Sequence, residues 1–321
     1  MAKLIVLCGL PGSGKSSYAQ NILDNTYMYS TGDAEVVVHS SDAIRGELFG
    51  DPNFQGDNTK VFETMHKRVK EDLKAGKTVV YDATNVTRKA RRGAINLAGA
   101  EDTVECHIIW AERDECIRRD SLRQRKVGRE VIDKMLHRWQ SPWKDEGFDK
   151  IELVLYQPDF DQLQYIAMAA ADMHIPHENP HHTLNVWEHC KEAYTRVLLQ
   201  LEQSPLKDAY YRPVLKTAVL WHDIGKPLTK TFHVDKVTDA IDYSHAHYYD
   251  HHCVGGYLSY GLFLRPDALG LSRQEIESAC FTSWLISNHM EPFFNSHYYR
   301  DLDPSWKCYI DILHAADLAA H

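Results

Sequence analysis

The 321-residue chain reads as an α/β domain, a parallel sheet flanked by helices, followed by an all-α domain. Three observations predict this. A short apolar run, Leu4-Ile5-Val6-Leu7, feeds the turn Gly9-Leu10-Pro11-Gly12-Ser13-Gly14-Lys15-Ser16. Brief apolar runs then alternate with helical periodicity as far as Leu155, the pattern of a parallel sheet with crossover helices. Beyond residue 180 the spacing is helical throughout, and most of the 19 histidines fall after His174.

The first strand is the Leu4–Leu7 run, too short for a signal segment or a membrane span. The glycine-rich turn after it fits the pattern that cradles phosphates with successive backbone N–H groups, reinforced by the positive end of the following helix. In that pattern Gly12, Ser13 and Gly14 line the phosphates of a nucleoside triphosphate such as ATP, Lys15 reaches the β- and γ-phosphates, and Ser16 holds Mg2+. Ser17–Leu23 continues as helix, and Glu35–His39 is the second strand. It ends at Ser40-Ser41-Asp42-Ala43-Ile44-Arg45, where open α/β sheets place their ligands. Asp42 reads as a general base, with Arg45 clamping an anionic acceptor, unless Ser41 or Asp42 simply N-caps a helix from Ala43 to Leu48.

Val61, Met65, Val69 and Leu73 recur at helical spacing, so Asn58–Lys74 is an amphipathic helix. Thr78–Tyr81 is the third strand, running into Asp82-Ala83-Thr84-Asn85; Asp82 is either a second functional carboxylate or a turn residue. Val104–Trp110 is a further strand. After it, seven basic residues between Ala111 and Arg129 face four acidic ones, a net of +3. Arg119 and Arg123 share a helix face, which fits either a solvated surface or an arginine-bearing lid over a transferred phosphoryl group. Ile151–Tyr156 is the last strand, and Gln157-Pro158-Asp159 a turn.

These residues together carry a resemblance. Gly-x-Pro-Gly-Ser-Gly-Lys-Ser, Ser41-Asp42-x-x-Arg45, Tyr81-Asp82-Ala83-Thr84-Asn85 and Arg118-Arg119-Asp120-Ser121-x-Arg123 resemble phage-type polynucleotide 5′-kinases of RNA repair. The resemblance spans residues 1 to 158 and implies a P-loop kinase that moves the γ-phosphate to a 5′-hydroxyl end. It implies that Lys15 and Ser16 bind phosphate and metal, that Asp42 activates the hydroxyl, that Arg45 meets the phosphate beside the acceptor, and that Arg119 and Arg123 close over the donor. Two departures stand out: Asp120 where such kinases often carry Asn, and Gly128 where a Pro commonly follows the lid valine.

Residues 159–178 read as a linker with a helix from Asp161 to Met173. Past it, Val186–Leu201, Pro213–Trp221, Gln274–Ser287 and Trp306–Ala320 accept helical readings, and no strand is expected. His189, the adjacent pair His222-Asp223, His251, His289 and Asp317 offer imidazoles and carboxylates that separate helices can bring to one divalent metal site. Asn179-Pro180-His181-His182 to His189, then Trp221-His222-Asp223-Ile224-Gly225-Lys226-Pro227, are similar to the HD phosphohydrolase superfamily, closely to the HD domain of bacterial CCA-adding enzymes, over residues 179–321. The likeness implies His189, His222, Asp223 and Asp317 as core ligands, with His251 and His289 completing a second position and His252 as the substitute for His251. It implies two divalent ions, such as Mn2+, Co2+ or Ni2+, about 3.5–4 Å apart and serving displacement at phosphorus, with Lys226 steadying the phosphate.

A net charge of −9 excludes a general duplex-DNA coating role. Seven cysteines without a C-x-x-C pair fit a reducing compartment and a cytoplasmic protein without membrane partners. The reading that uses both halves is an end-healing enzyme for polynucleotide ends, RNA in the first place. It phosphorylates 5′-hydroxyls and hydrolyses 2′,3′-cyclic or 3′-phosphates. The pairing resembles bacterial fusions of the same two modules in the opposite order. A small-molecule kinase fused to a nucleotide phosphohydrolase, and a nucleotide-gated regulatory or RNA-binding protein, are the alternatives.

Overall fold

A computed structural model describes residues 1–25, 34–51, 56–123, 125–155, 162–178, 183–203, 210–234, 238, 241–265 and 270–320. Two compact units divide it: Met1–Met135 with Pro142–Pro158, and Leu136–Ser141 with Asp159–His321.

In the first unit, strands β1 (Lys3–Cys8), β2 (Val36–Ser40), β3 (Thr78–Asp82), β4 (Thr103–Trp110) and β5 (Lys150–Leu155) form one sheet in the order β2-β3-β1-β4-β5. Every pairing is parallel. Leu4 to Cys8 are fully buried, as a central strand covered on both faces requires. Helices α1 (Lys15–Asp24), α2 (Ser41–Phe49), α3 (Asn58–Lys74), α4 (Arg88–Ile95), α5 (Arg113–Ser121) and α6 (Arg129–Leu136) supply the crossovers. The stripe of α3 is the expected one, with Val61, Met65, Val69 and Leu73 all buried. Because all strands run the same way, the segments after β1, β2, β3 and β4 emerge at one edge of the sheet.

The second unit is largely helical: α7 (Gln162–Asp172), α8 (Val186–Gln203), α9 (Tyr211–Leu220), α10 (Lys226–Thr229), α11 (His251–Leu258), α12 (Arg273–Asn288), α13 (Glu291–Phe294), α14 (His297–Asp301) and α15 (Pro304–Ala319). One feature departs from the all-helical expectation. Strands β6 (Lys230–Val234) and β7 (Ile241–Tyr248) pair as an antiparallel ribbon, so His245 and His247 lie on a strand. The expected linker helix is α7, and it packs inside the unit: Tyr165 donates to the Leu258 carbonyl at 2.7 Å and fills the space beside Gly261.

Leu136–Ser141, expected within the first domain, belongs to the second unit. Trp139 is fully buried there, 5.0 Å from the Tyr257 ring, and Ser141 Oγ lies 2.6 Å from Ser283 Oγ and 2.7 Å from Ser287 Oγ. The expected boundary at residue 158, the turn Gln157-Pro158-Asp159 and the motif residues Asn179 to His182 lie outside the described residues. All seven cysteines are free thiols, and among the described residues no helix is long and apolar enough to cross a membrane.

Candidate active sites

In the first unit, β1 delivers the chain into the glycine-rich turn and α1 begins at Lys15. Gly12 has a φ of 85°, and a Cβ there would sit 2.2 Å from the Cys116 carbonyl oxygen of α5, so no other residue fits this backbone-to-backbone contact. Gly14, at φ 108°, opens the helix N-terminus. Lys15 Nζ donates to the carbonyls of Gly9 at 2.9 Å and Leu10 at 2.7 Å. Burial pulls the Lys15 ammonium down from its usual range, with the Asp82 carboxylate opposing. Ser16 Oγ donates to Asp82 Oδ2 at 3.4 Å. Burial raises the Asp82 carboxyl against the pull of Lys15, while Asp42 adds to the rise. Ser13 Oγ is buried without a partner, a polar atom with capacity to spare inside the turn. Such a cradle fits a polyphosphate: it offers N–H groups, a hydroxyl and a lysine, and Ser16 with Asp82 supplies the oxygens that suit Mg2+.

A cleft of about 820 Å³ opens over this turn, lined among others by Lys15, Ser16, Asp42, Arg45, Asp82, Arg123 and Arg125. Asp42 lies in the first turn of α2, whose N-cap is Ser40, so the capping alternative does not apply to it. Its carboxylate accepts from Arg45 Nη1 at 3.0 Å and pairs with Arg125. Arg45 also donates to Asn58 Oδ1 at 2.8 Å, which fixes the guanidinium in the cleft. Arg119 donates to the Ser13 carbonyl at 3.4 Å and is held by Glu115 at 2.5 Å. Arg118, by contrast, is outward and exposed, as the solvated reading of a charge run expects. Arg125 is the cleft residue that the sequence reading passed over, because nothing in its spacing distinguishes it from the neighbouring basic residues.

The two departures in the basic segment after β4 explain each other. Asp120 is buried, and its carboxylate accepts from the backbone N–H of Val127 at 3.1 Å and of Gly128 at 2.9 Å. A proline at 128 has no N–H to give, and Gly128 stands at φ 86°, which proline cannot reach.

In the second unit, α8, the turn after α9, α11, the end of α12 and α15 bring His189, His222, Asp223, His251, His289 and Asp317 together. Asp317 Oδ1 lies 2.9 Å from His189 Nε2 and 3.3 Å from His222 Nε2. Asp223 spans two groups: Oδ2 is 3.4 Å from His222 Nε2, and Oδ1 is 3.5 Å from His251 Nε2. His251 Nε2 is 3.2 Å from His289 Nε2. The His252 ring lies 6.3 Å from that of His289, so the inward nitrogen at this position belongs to His251. Gly225 makes the arrangement possible, since a Cβ on it would lie 2.1 Å from the His251 carbonyl oxygen.

All four imidazoles turn Nδ1 to a backbone carbonyl: His189 to Ala320 at 3.1 Å, His222 to Val219 at 2.7 Å, His251 to Tyr248 at 2.8 Å and His289 to Ile286 at 2.8 Å. A carbonyl only accepts, so each Nδ1 carries its proton and each Nε2 is the nitrogen presented to the centre. Burial keeps His251 at about 4 and His289 at about 3, both neutral. His222 is also buried, but Cys190, Asp223 and Asp317 together hold it well above its usual value, so that half of the pocket favours a positive charge. Burial notwithstanding, Lys226 and the histidines hold Asp223 ionised. Neutral imidazoles and ionised carboxylates are the donors a divalent cation takes, and the residues fit one.

Two participants escaped the sequence reading. Cys190 Sγ lies 3.7 Å from His222 Nδ1, behind the imidazole. His177 accepts from Lys226 Nζ at 3.0 Å while Lys226 pairs with Asp223 at 2.6 Å. Neither has a spacing that marks it, since only the tertiary fold brings His177 to Lys226.

A parallel sheet whose first strand runs into a glycine-rich phosphate-binding turn and a helix is the architecture of a P-loop domain. Residues 4–142 match the family model described as the AAA domain. Among curated proteins, "Transcription factor bHLH140" of Arabidopsis thaliana is 26% identical over 165 residues, covering 49% of this chain and 16% of that protein. The chain thus spans about a sixth of the length of that relative. Among solved structures, a chain of the Pnkp1/Rnl/Hen1 RNA repair complex is similar at 21% identity and TM-score 0.36 over 42% of each chain. Kti12 of Chaetomium thermophilum in complex with ADP-AlF3 is similar at 17% identity and TM-score 0.38, over 49% of this chain and 90% of that one. At such identities and scores, the assignment rests on the loop and sheet described above.

Proposed function

We propose that the chain is a bifunctional end-healing enzyme for nucleic acid, RNA in the first place. The first unit phosphorylates 5′-hydroxyl ends from ATP, and the second hydrolyses 2′,3′-cyclic or 3′-phosphates. The observation that carries the reading is the set of four imidazoles, each with Nδ1 committed to a carbonyl and Nε2 turned inward beside Asp223 and Asp317, in a chain whose other unit is a P-loop domain.

On this reading Asp42 takes the proton of the acceptor hydroxyl and Arg45 binds the phosphate beside it, while Lys15 follows the γ-phosphate and Arg119 and Arg123 neutralise it as it transfers. Ser16 with Asp82 would hold Mg2+, which would supply charge neutralisation between the phosphates. In the second unit His189, His222, Asp223 and Asp317 would hold one divalent ion, and Asp223, His251 and His289 would hold a second. These ions would activate water and polarise the phosphate. Lys226, fixed between Asp223 and His177, contributes a further cation to the phosphate oxygens.

The test offers labelled ATP with a 5′-hydroxyl oligonucleotide or a mononucleoside, and separately an RNA 2′,3′-cyclic phosphate end with Mn2+, Co2+ or Ni2+. Transfer to the oligonucleotide and opening of the cyclic end are expected. Transfer to neither acceptor defeats the kinase half, and a preference for the mononucleoside moves it to nucleotide metabolism.

A further inference from the structure

We propose that Phe293 and Phe294, backed by His252, form a nucleobase-stacking subsite at the rim of the imidazole–carboxylate centre. It takes the base of the nucleotide whose phosphate is hydrolysed there. The proposal rests on the phosphohydrolase reading of that centre.

The chain leaves the centre at His289 and within two residues turns into α13, a four-residue helix that Asn295 ends at φ 47°. Its two phenyl rings face water: Phe293 is 72% exposed and Phe294 53%. Phe281 and Trp284 of the same unit are 0% exposed, and its other open large rings, Tyr243 and Tyr249, carry hydroxyls that these two phenyls lack. Two adjacent exposed phenyls in mutual contact, with centroids 5.8 Å apart, form an apolar patch rather than scattered surface residues. The patch is continuous with the centre. Phe294 lies 5.7 Å from the His252 ring, and that ring lies 6.3 Å from His289 and 5.7 Å from His251. Each step is within the range of aromatic contact, so an aromatic surface runs from inward-facing imidazoles to an open phenyl face.

The position selects the ligand. A phosphate at the centre would meet Lys226 and the metal donors, and a planar group joined to it would reach the phenyl faces, two ring contacts out from His289 through His252. Phosphate joined through a ribose to a flat π-system is a nucleotide. Stacking is tolerant of base identity because every base has a π-face, which suits an enzyme that meets ends of any sequence.

The experiment uses the full chain with Mn2+ and two substrates, adenosine 2′,3′-cyclic phosphate and the base-free methyl riboside 2′,3′-cyclic phosphate. The ratio of kcat/KM with and without the base is read in wild type, in Phe293→Ala/Phe294→Ala and in Phe294→Tyr. A wild-type preference for the nucleoside of at least about tenfold is expected, carried by KM. The double variant should bring the ratio close to one, and Phe294→Tyr should keep it. An equal ratio in wild type and double variant overturns the proposal. Affinities for adenosine 3′-phosphate and ribose 3-phosphate, measured by calorimetry on the same proteins, separate the two readings. Tighter binding with the base, lost in the double variant, supports the subsite even if wild type turns over neither substrate, a result that would sink the hydrolase reading alone. Equal affinities overturn the subsite.

Discussion

At the histidines of the second unit, the backbone decides which nitrogen is available. Four carbonyls hold four Nδ1 protons, and the inward lone pairs follow from that without any further choice by the side chains. A different residue-scale device operates at Glu105 on β4, whose carboxylate lies 2.9 Å from His107 Nε2 and 3.0 Å from Lys3 Nζ. Burial works against its charge, yet these two partners depress it to about 2 from 4.5. A carboxyl depressed in the folded state contributes stability above its unfolded value and loses it as pH falls toward the folded one, here between 4.5 and about 2. The contribution is about 3 kcal/mol. Chemical denaturation of Glu105→Gln should therefore show a flatter acid limb than wild type across that window, and equal slopes would count against the pairing.

Among the elements, the basic segment after β4 ties Asp120 and Gly128 to each other. Asp120 accepts two backbone N–H groups because position 128 is a glycine that has one to offer. Gly128→Pro removes a charge-assisted hydrogen bond and demands a φ the chain does not have, and a loss of about 2–4 kcal/mol is expected from thermal melts. Asp120→Asn keeps one acceptor and should cost about 1 kcal/mol. If Gly128→Pro is neutral, the segment does not depend on this bond. The sheet was legible because each strand is a short apolar run that stops at a polar cluster: Val36–Ser40 before Asp42, Thr78–Asp82 before Asn85. The ribbon of β6 and β7 was not. Lys230–Val234 and Ile241–Tyr248 mix polar, charged and aromatic residues with alternation only over Ile241–Ser244, because most of the ribbon is exposed and has no face to bury.

For the whole molecule, the proposed function makes the two activities independent. Lys15→Ala should abolish phosphate transfer and leave opening of a 2′,3′-cyclic phosphate within about twofold, while His222→Ala should do the reverse by at least about 100-fold. End-group analysis of one RNA carrying both broken ends checks the two at once, and a variant that silences both activities would contradict two self-contained sites. The six candidate ligands could be picked from the sequence because a likeness to a known superfamily marks them. The participation of His177 and Cys190 could not, since both owe their places to packing between helices far apart in the chain. The segment Leu136–Ser141 was hidden for the same reason. Its consequence concerns dissection: the chain has no single seam. A fragment cut at residue 158 would carry Trp139 into water without Tyr257 beside it, and a fragment begun at 159 would leave Ser283 and Ser287 facing a void where Ser141 had been.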